Sequence, residues 1–207
     1  MITEIRKFIE ELTTYTDSIP EERKHILNRI AEYVSTSLQN NRKAELIYVC
    51  THNSRRSHFG QVWGRTAAEY YGIKNVNTYS AGTEATSFNP NAIKALEKAG
   101  FYISKQAAET NPKYEVYYDM DQPPELCFSK TYQHPSIPTT GLCAIMTCTE
   151  ADGNCPYIPG TELRISCPYD DPKAFDGTAL QDEKYEERCR QIALENLYVF
   201  KEVSLKL

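Results

Sequence analysis

The chain has 207 residues, of which 41% are apolar and 25% charged, the size and make-up of one globular domain or of one domain with a small appendage. These values exclude a disordered, collagenous or coiled-coil chain, and no apolar run approaches the roughly 18 residues of a membrane span. A net charge of −5 speaks against a nucleic-acid binder, though not against a local anion site built from a few N–H groups and one arginine.

Residues 1–42 read as an N-terminal extension of two helices. The first carries Ile2, Ile5, Phe8, Ile9 and Leu12 at helical spacing. Its Glu4, Glu10 and Glu11 stand where a signal peptide needs an apolar core, so the expected location is the cytoplasm. Ser18-Ile19-Pro20-Glu21 is a start signal with Ser18 as N-cap. The second helix then turns Ile26, Ile30, Tyr33, Val34 and Leu38 inward.

Residues 43–207 read as one α/β domain. Residues 46–49 form a short apolar run, as in a buried parallel strand, ending at Cys50. A helix follows from about Ser57 to Tyr71, with Phe59, Val62, Trp63 and Ala67 inward and Gly72 closing it. Residues 76–80 are a second strand and 81–83 a turn. Asn89-Pro90 opens a helix through Ile93, Leu96 and Ala99 that stops at Gly100. Residues 105–140, rich in Tyr and Pro, read as a long loop with one short helix. Residues 142–146 and, more weakly, 162–166 are strands, and 179–201 a helix burying Tyr185, Cys189, Ile192, Val199 and Val203 on one side. This alternation predicts a four-stranded parallel sheet flanked by helices.

The chemistry concentrates in Cys50-Thr51-His52-Asn53-Ser54-Arg55-Arg56-Ser57. A strand delivers a cysteine into a loop, and a helix starts on the far side. Successive loop N–H groups and the helix N-terminus make a cradle for a tetrahedral oxyanion. Arg56 adds a planar fork that matches two of its oxygens. The same field lowers a cysteine pKa from about 8.5 into the range of roughly 3.5 to 7.5, which makes Cys50 a nucleophile. Ser57 holds the thiolate in this reading, and Asn53 braces the loop. The plain alternative is a core cysteine beside two surface arginines.

The segment resembles the active-site loop of the low-molecular-weight tyrosine phosphatase superfamily, which includes the thioredoxin-coupled arsenate reductases. Residues 77–84 and 89–93 are similar to that superfamily's second strand and second helix. The family has glycine where this chain has His52. A positive φ there would cost about 1 kcal/mol. The resemblance also implies a potassium ion beside the loop, with Asn53 and Ser80 at ligand positions and Gln61 where an acidic ligand is expected.

Asp170-Asp171-Pro172 is similar to the superfamily's general-acid loop and implies Asp171 as the proton donor. By itself the same sequence reads as a capping turn. Cys148 and Cys155, six residues apart, match the cysteine pair of the reductase branch. That match implies arsenate reduction by a relay of Cys50, Cys148 and Cys155, with thioredoxin as reductant. Two alternatives stay open. One is a phosphatase acting on phosphotyrosine or aryl phosphates, with Tyr114, Tyr117, Tyr118 and Tyr132 supplying rings. The other is a zinc site from Cys143, Cys148, Cys155 and Cys167, whose spacings lack the close pairs of zinc knuckles. Cys127 and Cys189 read as packed thiols, and His58 as a surface group or a neighbour of the anion.

Overall fold

The computed structural model describes residues 1–106, 110–154 and 157–207. Cys155 lies outside the described residues. In chain order the elements are α1 (Thr3–Thr13), α2 (Glu21–Gln39), β1 (Ala44–Cys50), α3 (Arg56–Tyr70), β2 (Val76–Gly82), α4 (Pro90–Lys98) and β3 (Tyr102–Lys105). Then come β4 (Tyr114–Tyr117), β5 (Glu125–Cys127), β6 (Leu142–Met146), α5 (Thr149–Asn154), β7 (Thr161–Ser166) and α6 (Gln181–Ser204). No helix among the described residues is long and apolar enough to cross a membrane.

Four strands form a parallel sheet in the order β2-β1-β6-β7. β1 and β6 are almost wholly buried, as a central parallel strand covered on both faces must be. The chain leaves β1 toward β2 on one side and returns through β6 on the other. The direction of winding therefore switches between β1 and β6, the place where open α/β sheets bind ligands at the carboxyl ends of their strands. Cys50 ends β1 there, and Cys148 lies two residues beyond β6.

The N-terminal helices add core to this sheet, and α2 also reaches the segment after β7, where the Arg23 guanidinium lies 4.5 Å from the centre of the Tyr169 ring. Ile5, Ile9, Leu27 and Val34 share one buried cluster with Leu46, Trp63, Phe101, Ile192 and Phe200, and α1 and α2 both pack on α6. The start signal for α2 falls elsewhere than expected. Ser18 spends its hydroxyl on the Tyr15 carbonyl at 2.7 Å, closing a short 3-10 turn, and Pro20 takes the N-cap position.

The larger correction concerns residues 105–140. They hold no helix among the described residues. β4 and β5 join β3 in an antiparallel sheet of three strands, with Tyr102 opposite Tyr117 and Tyr114 opposite Cys127. Only Val116 and Cys127 of these strands are buried. Strands of three or four residues with so few inward positions leave no readable alternation.

Glycine has a steric role at two places that shape the site. A Cβ on Gly60 would lie 2.2 Å from the Tyr48 ring, so glycine lets α3 settle onto β1. A Cβ on Gly82 would lie 2.6 Å from the Thr51 carbonyl oxygen and 2.7 Å from the Asn53 nitrogen. Glycine there is required by the close approach of the loop that follows Cys50, not by a turn.

Candidate active site

The loop from Cys50 to Arg56 is fastened from outside by its carbonyl groups. Thr83 N–H donates to the Cys50 oxygen at 3.3 Å and Glu84 N–H to the Thr51 oxygen at 2.9 Å. Thr86 and Ser129 hydroxyls donate to the His52 oxygen at 3.1 and 3.0 Å. Asn89 N–H donates to the Ser54 oxygen at 2.9 Å, and Phe59 N–H to the Arg55 oxygen at 3.0 Å. With these carbonyls tied outward, the N–H groups from Thr51 to Arg55 find no acceptor among the described residues. Such a run of free donors is an anion-binding nest.

Asn53 carries the turn. Its φ is +43°, and His52 is not among the residues with positive φ. The strain expected at His52 is therefore absent, and asparagine, which tolerates the left-handed region, takes that conformation. The Asn53 carboxamide is fully buried. It accepts from Lys130 N–H at 2.8 Å and donates to Ser57 Oγ at 2.8 Å. Ser57 Oγ in turn lies 3.1 Å from Cys50 Sγ. The His52 ring points out toward the Glu84 carboxylate, 3.8 Å away. Ser54 ties its hydroxyl to the Ser87 carbonyl at 2.8 Å.

Arg56 opens α3 and is buried. It donates to the Tyr169 carbonyl at 2.9 Å and to Asp171 Oδ2 at 2.7 Å, while its Nε has no partner among the described residues. Asp171 divides its two oxygens. One accepts from Lys173 N–H at 3.0 Å, capping the 3-10 turn Pro172–Phe175, and the other meets Arg56. The capping turn and the carboxylate facing the cradle are thus one residue seen from two sides. Cys148 is buried, with Ala151 N–H 3.3 Å and Thr51 Oγ1 3.4 Å from its sulfur. Thr51 Oγ1 also donates to Glu150 Oε2 at 3.2 Å. Arg56, Cys148, Glu150, Tyr169 and Asp171 line one cavity of about 350 Å³.

The family model described as low molecular weight phosphotyrosine protein phosphatase matches residues 45–121. Arsenate reductases are 30% identical to this chain: that of Halalkalibacterium halodurans over 69% of it and 83% of the relative, and that of Bacillus licheniformis over 77% and 96%. The chain belongs to the low-molecular-weight phosphotyrosine phosphatase family. Within this family, arsenate reductases are among its relatives in sequence. The fold is shared with a mutant of YwlE from Bacillus subtilis, at a TM-score of 0.52 and 15% identity over 78% of this chain and 99% of that one. A phosphotyrosine phosphatase from Vibrio cholerae aligns with a TM-score of 0.50 and 15% identity over 76% and 95%.

Against this family frame, several side chains take positions that sequence reasoning did not give. Arg55 turns away from the anion loop. Its Nε donates to Tyr185 Oη at 2.7 Å and its Nη2 to Asp176 Oδ2 at 3.4 Å, and Tyr185 donates to Asp176 Oδ1 at 2.7 Å. This guanidinium ties the segment carrying Asp171 to α6. His58 is buried, not on the surface. It stacks on Phe88 with ring centroids 4.0 Å apart, and its Nδ1 lies 3.1 Å from Ser80 Oγ. Burial pushes its pKa well below the ordinary histidine value, with the Lys130 charge adding to the effect. It is a neutral imidazole of the scaffold.

Cys127, Cys143, Cys167 and Cys189 are all buried. Burial pushes the Cys167 thiol up to about 11 and the Cys189 thiol up to about 12, far from nucleophilic at neutral pH. Tyr114, Tyr117, Tyr118 and Tyr132 do not line the cavity at Arg56. Tyr118 is buried beside Arg65, Tyr114 packs edge-on against Phe88, and Tyr117 pairs with Tyr102.

The groups implied as potassium ligands are hydrogen-bonded within the protein. Asn53 Oδ1 accepts from Lys130 N–H. Ser80 Oγ donates to Gln61 Oε1 at 2.7 Å, and Gln61 Nε2 donates to Glu125 at 3.1 Å. Gln61, which is neutral, stands where the resemblance implies an acidic ligand.

Proposed function

We propose that the chain reduces arsenate to arsenite by thiol chemistry at Cys50 and Cys148. The observation that carries this reading is the second buried thiol, Cys148, opening into the cavity that holds Arg56 and Asp171. A phosphatase needs no such thiol, because water cleaves its phospho-cysteine. The absence of Tyr114, Tyr117, Tyr118 and Tyr132 from the cavity lining also weighs against a site made for a tyrosyl ring.

In this mechanism the arsenate dianion enters the nest of loop N–H groups and takes the Arg56 Nε donor. The Cys50 thiolate, held by Ser57, attacks arsenic, and Asp171 gives a proton to the departing oxygen, which leaves as water. Cys148 then attacks Cys50 Sγ. The new S–S bond forms as the S–As bond breaks, and its electron pair stays on arsenic, which falls from the +5 to the +3 state. Two thiols are oxidised for two electrons gained. Thr51 Oγ1, within reach of both Cys148 and Glu150, orients the attacking sulfur. Cys155 completes the relay in this reading by attacking Cys148 and freeing Cys50, and a dithiol protein of the thioredoxin class reduces the final disulfide. That chemistry belongs to a reducing compartment, the cytoplasm.

The same nest and Arg56 fit phosphate, so hydrolysis of aryl phosphates is the second reading. Cys148→Ser separates them. The variant is expected to lose arsenate-dependent consumption of NADPH in a full thioredoxin system while retaining hydrolysis of p-nitrophenyl phosphate. A wild-type protein without arsenate-dependent consumption overturns the reductase reading and leaves the phosphatase.

A further inference from the structure

A second cavity, of about 300 Å³, is lined by Gln61, Arg65, Tyr79, Glu125, Phe128 and Lys130 among others. Lys130 is 5% exposed, a rare state for a lysine. Among the described residues its ammonium makes one hydrogen bond, to the Phe128 carbonyl at 3.3 Å, and lies 4.4 Å from the centre of the Phe128 ring. The backbone of Lys130 is fixed on both sides. Its N–H donates to Asn53 Oδ1, and its carbonyl accepts from Gly82 N–H at 2.9 Å. Asn53 leads through Ser57 to Cys50 Sγ. Ser80 and Gln61 are bonded to each other, and His58, bonded to Ser80, feels the Lys130 charge.

We propose that Lys130 is the resident cation of this site, and that its ammonium supplies the positive charge behind the anion loop without potassium. The carboxylate that lines this cavity, Glu125, is already held by Gln61 and lies 3.9 Å from Arg65, while Glu69 is paired with Arg65 and Glu45 with Asn77 and Tyr79. A potassium ion brought into the same cavity would meet repulsion from the ammonium. Gln61 has no charge to offset it. Burial pushes the Lys130 ammonium down to about 8, while Cys127 and Glu125 pull the other way. At pH 7 the charged form still predominates. The polarity is also the useful one: a fixed positive charge favours both a thiolate at Cys50 and a dianion above it, and a lysine needs no ion from solution to provide it.

The proposal concerns the anion loop alone and holds for either reaction, so its test avoids arsenate. Alkylation of Cys50 by iodoacetamide at pH 7, followed by peptide mass spectrometry, and inhibition by inorganic phosphate are measured in potassium chloride and in choline chloride at equal ionic strength. The wild-type protein is expected to give the same values in both salts. Lys130→Met is expected to alkylate at Cys50 about three- to tenfold more slowly. It is also expected to bind phosphate more weakly and to recover part of both losses in potassium chloride. Wild-type protein that alkylates faster or binds phosphate more tightly in potassium than in choline overturns the proposal. So does a Lys130→Met protein that melts cooperatively and matches the wild type. If the variant does not fold, the salt comparison on the wild type decides alone.

Discussion

Asn53 shows how much of the site hangs on one residue. It holds a left-handed backbone, accepts from Lys130 and donates to Ser57, all within the interior. Asn53→Ala removes both hydrogen bonds and puts at positive φ a residue that tolerates the left-handed region less well than asparagine. We expect a loss of about 2 to 4 kcal/mol in urea unfolding, from unpaired buried groups and backbone strain together. Asn53→Gly should recover about 1 kcal/mol of that loss, because glycine accepts the backbone. Equal stabilities for the two variants would mean that φ carries no strain here. The residues of this site differ in legibility for a physical reason. Cys50 and Arg56 sit in a short motif whose spacing points to the chemistry, and Asp171 is legible only through the resemblance of its loop to the family's general-acid loop. Lys130 has no motif around it. Its role comes from being folded against Asn53, a contact between distant parts of the chain. His58 was misread for the same reason: α3 is buried on nearly every side, and only tertiary packing shows that.

At the scale of elements, the segment from Cys167 to Asp176 is held by α6 as much as by the anion loop. Tyr185 of α6 accepts from Arg55 and donates to Asp176, which closes a ring of contacts behind Asp171. Tyr185→Phe breaks that ring and takes from Arg55 Nε its hydrogen-bond acceptor, leaving the longer ion pair to Asp171 at 4.0 Å, at a cost of about 1 to 2 kcal/mol in stability. Asp171 then sits less firmly, while the loop N–H groups and Arg56 are untouched. On the reading proposed above, kcat is expected to fall with little change in KM, since ground-state binding of the anion survives. The drop should be larger for phenyl phosphate than for p-nitrophenyl phosphate, whose leaving group needs less help from an acid. Equal losses on the two substrates would detach Tyr185 from Asp171. Elements buried on both faces, β1 and β6, were plain in the sequence as apolar runs, and Asn89-Pro90 announced α4, where Asn89 caps with its side chain. β3, β4 and β5 were not, since their stability comes from pairing with one another and not from any internal pattern.

For the whole molecule, the buried ammonium sets a dependence of stability on pH that can be read in advance. The ordinary lysine value of 10.5 is lowered to about 8 in the native state, mainly by burial. A depressed pKa means that between about 8 and 10.5 the unfolded chain binds more protons than the folded one. Stability contributed by this group therefore rises with pH across that window. Below pH 8 both states hold the proton, and the folded state bears the full cost of a buried charge, of order 3 kcal/mol from the shift. Lys130→Met removes that net cost, in which the attraction of Glu125 is already contained, and leaves the Phe128 carbonyl without the ammonium donor. The variant is thus expected to be more stable than wild type by about 1 to 3 kcal/mol at pH 7. The advantage should shrink steadily from pH 8 and vanish by about pH 10.5. Other groups titrate in the same range, including buried tyrosines raised above their ordinary value, but they are common to both proteins and cancel in the difference. Urea unfolding of the pair at pH 7, 8, 9 and 10 measures it. A difference that stays constant with pH would mean that Lys130 is not held at a depressed pKa. A difference that closes, beside a slower Cys50, would show that the fold carries a destabilising charge where the anion site uses it.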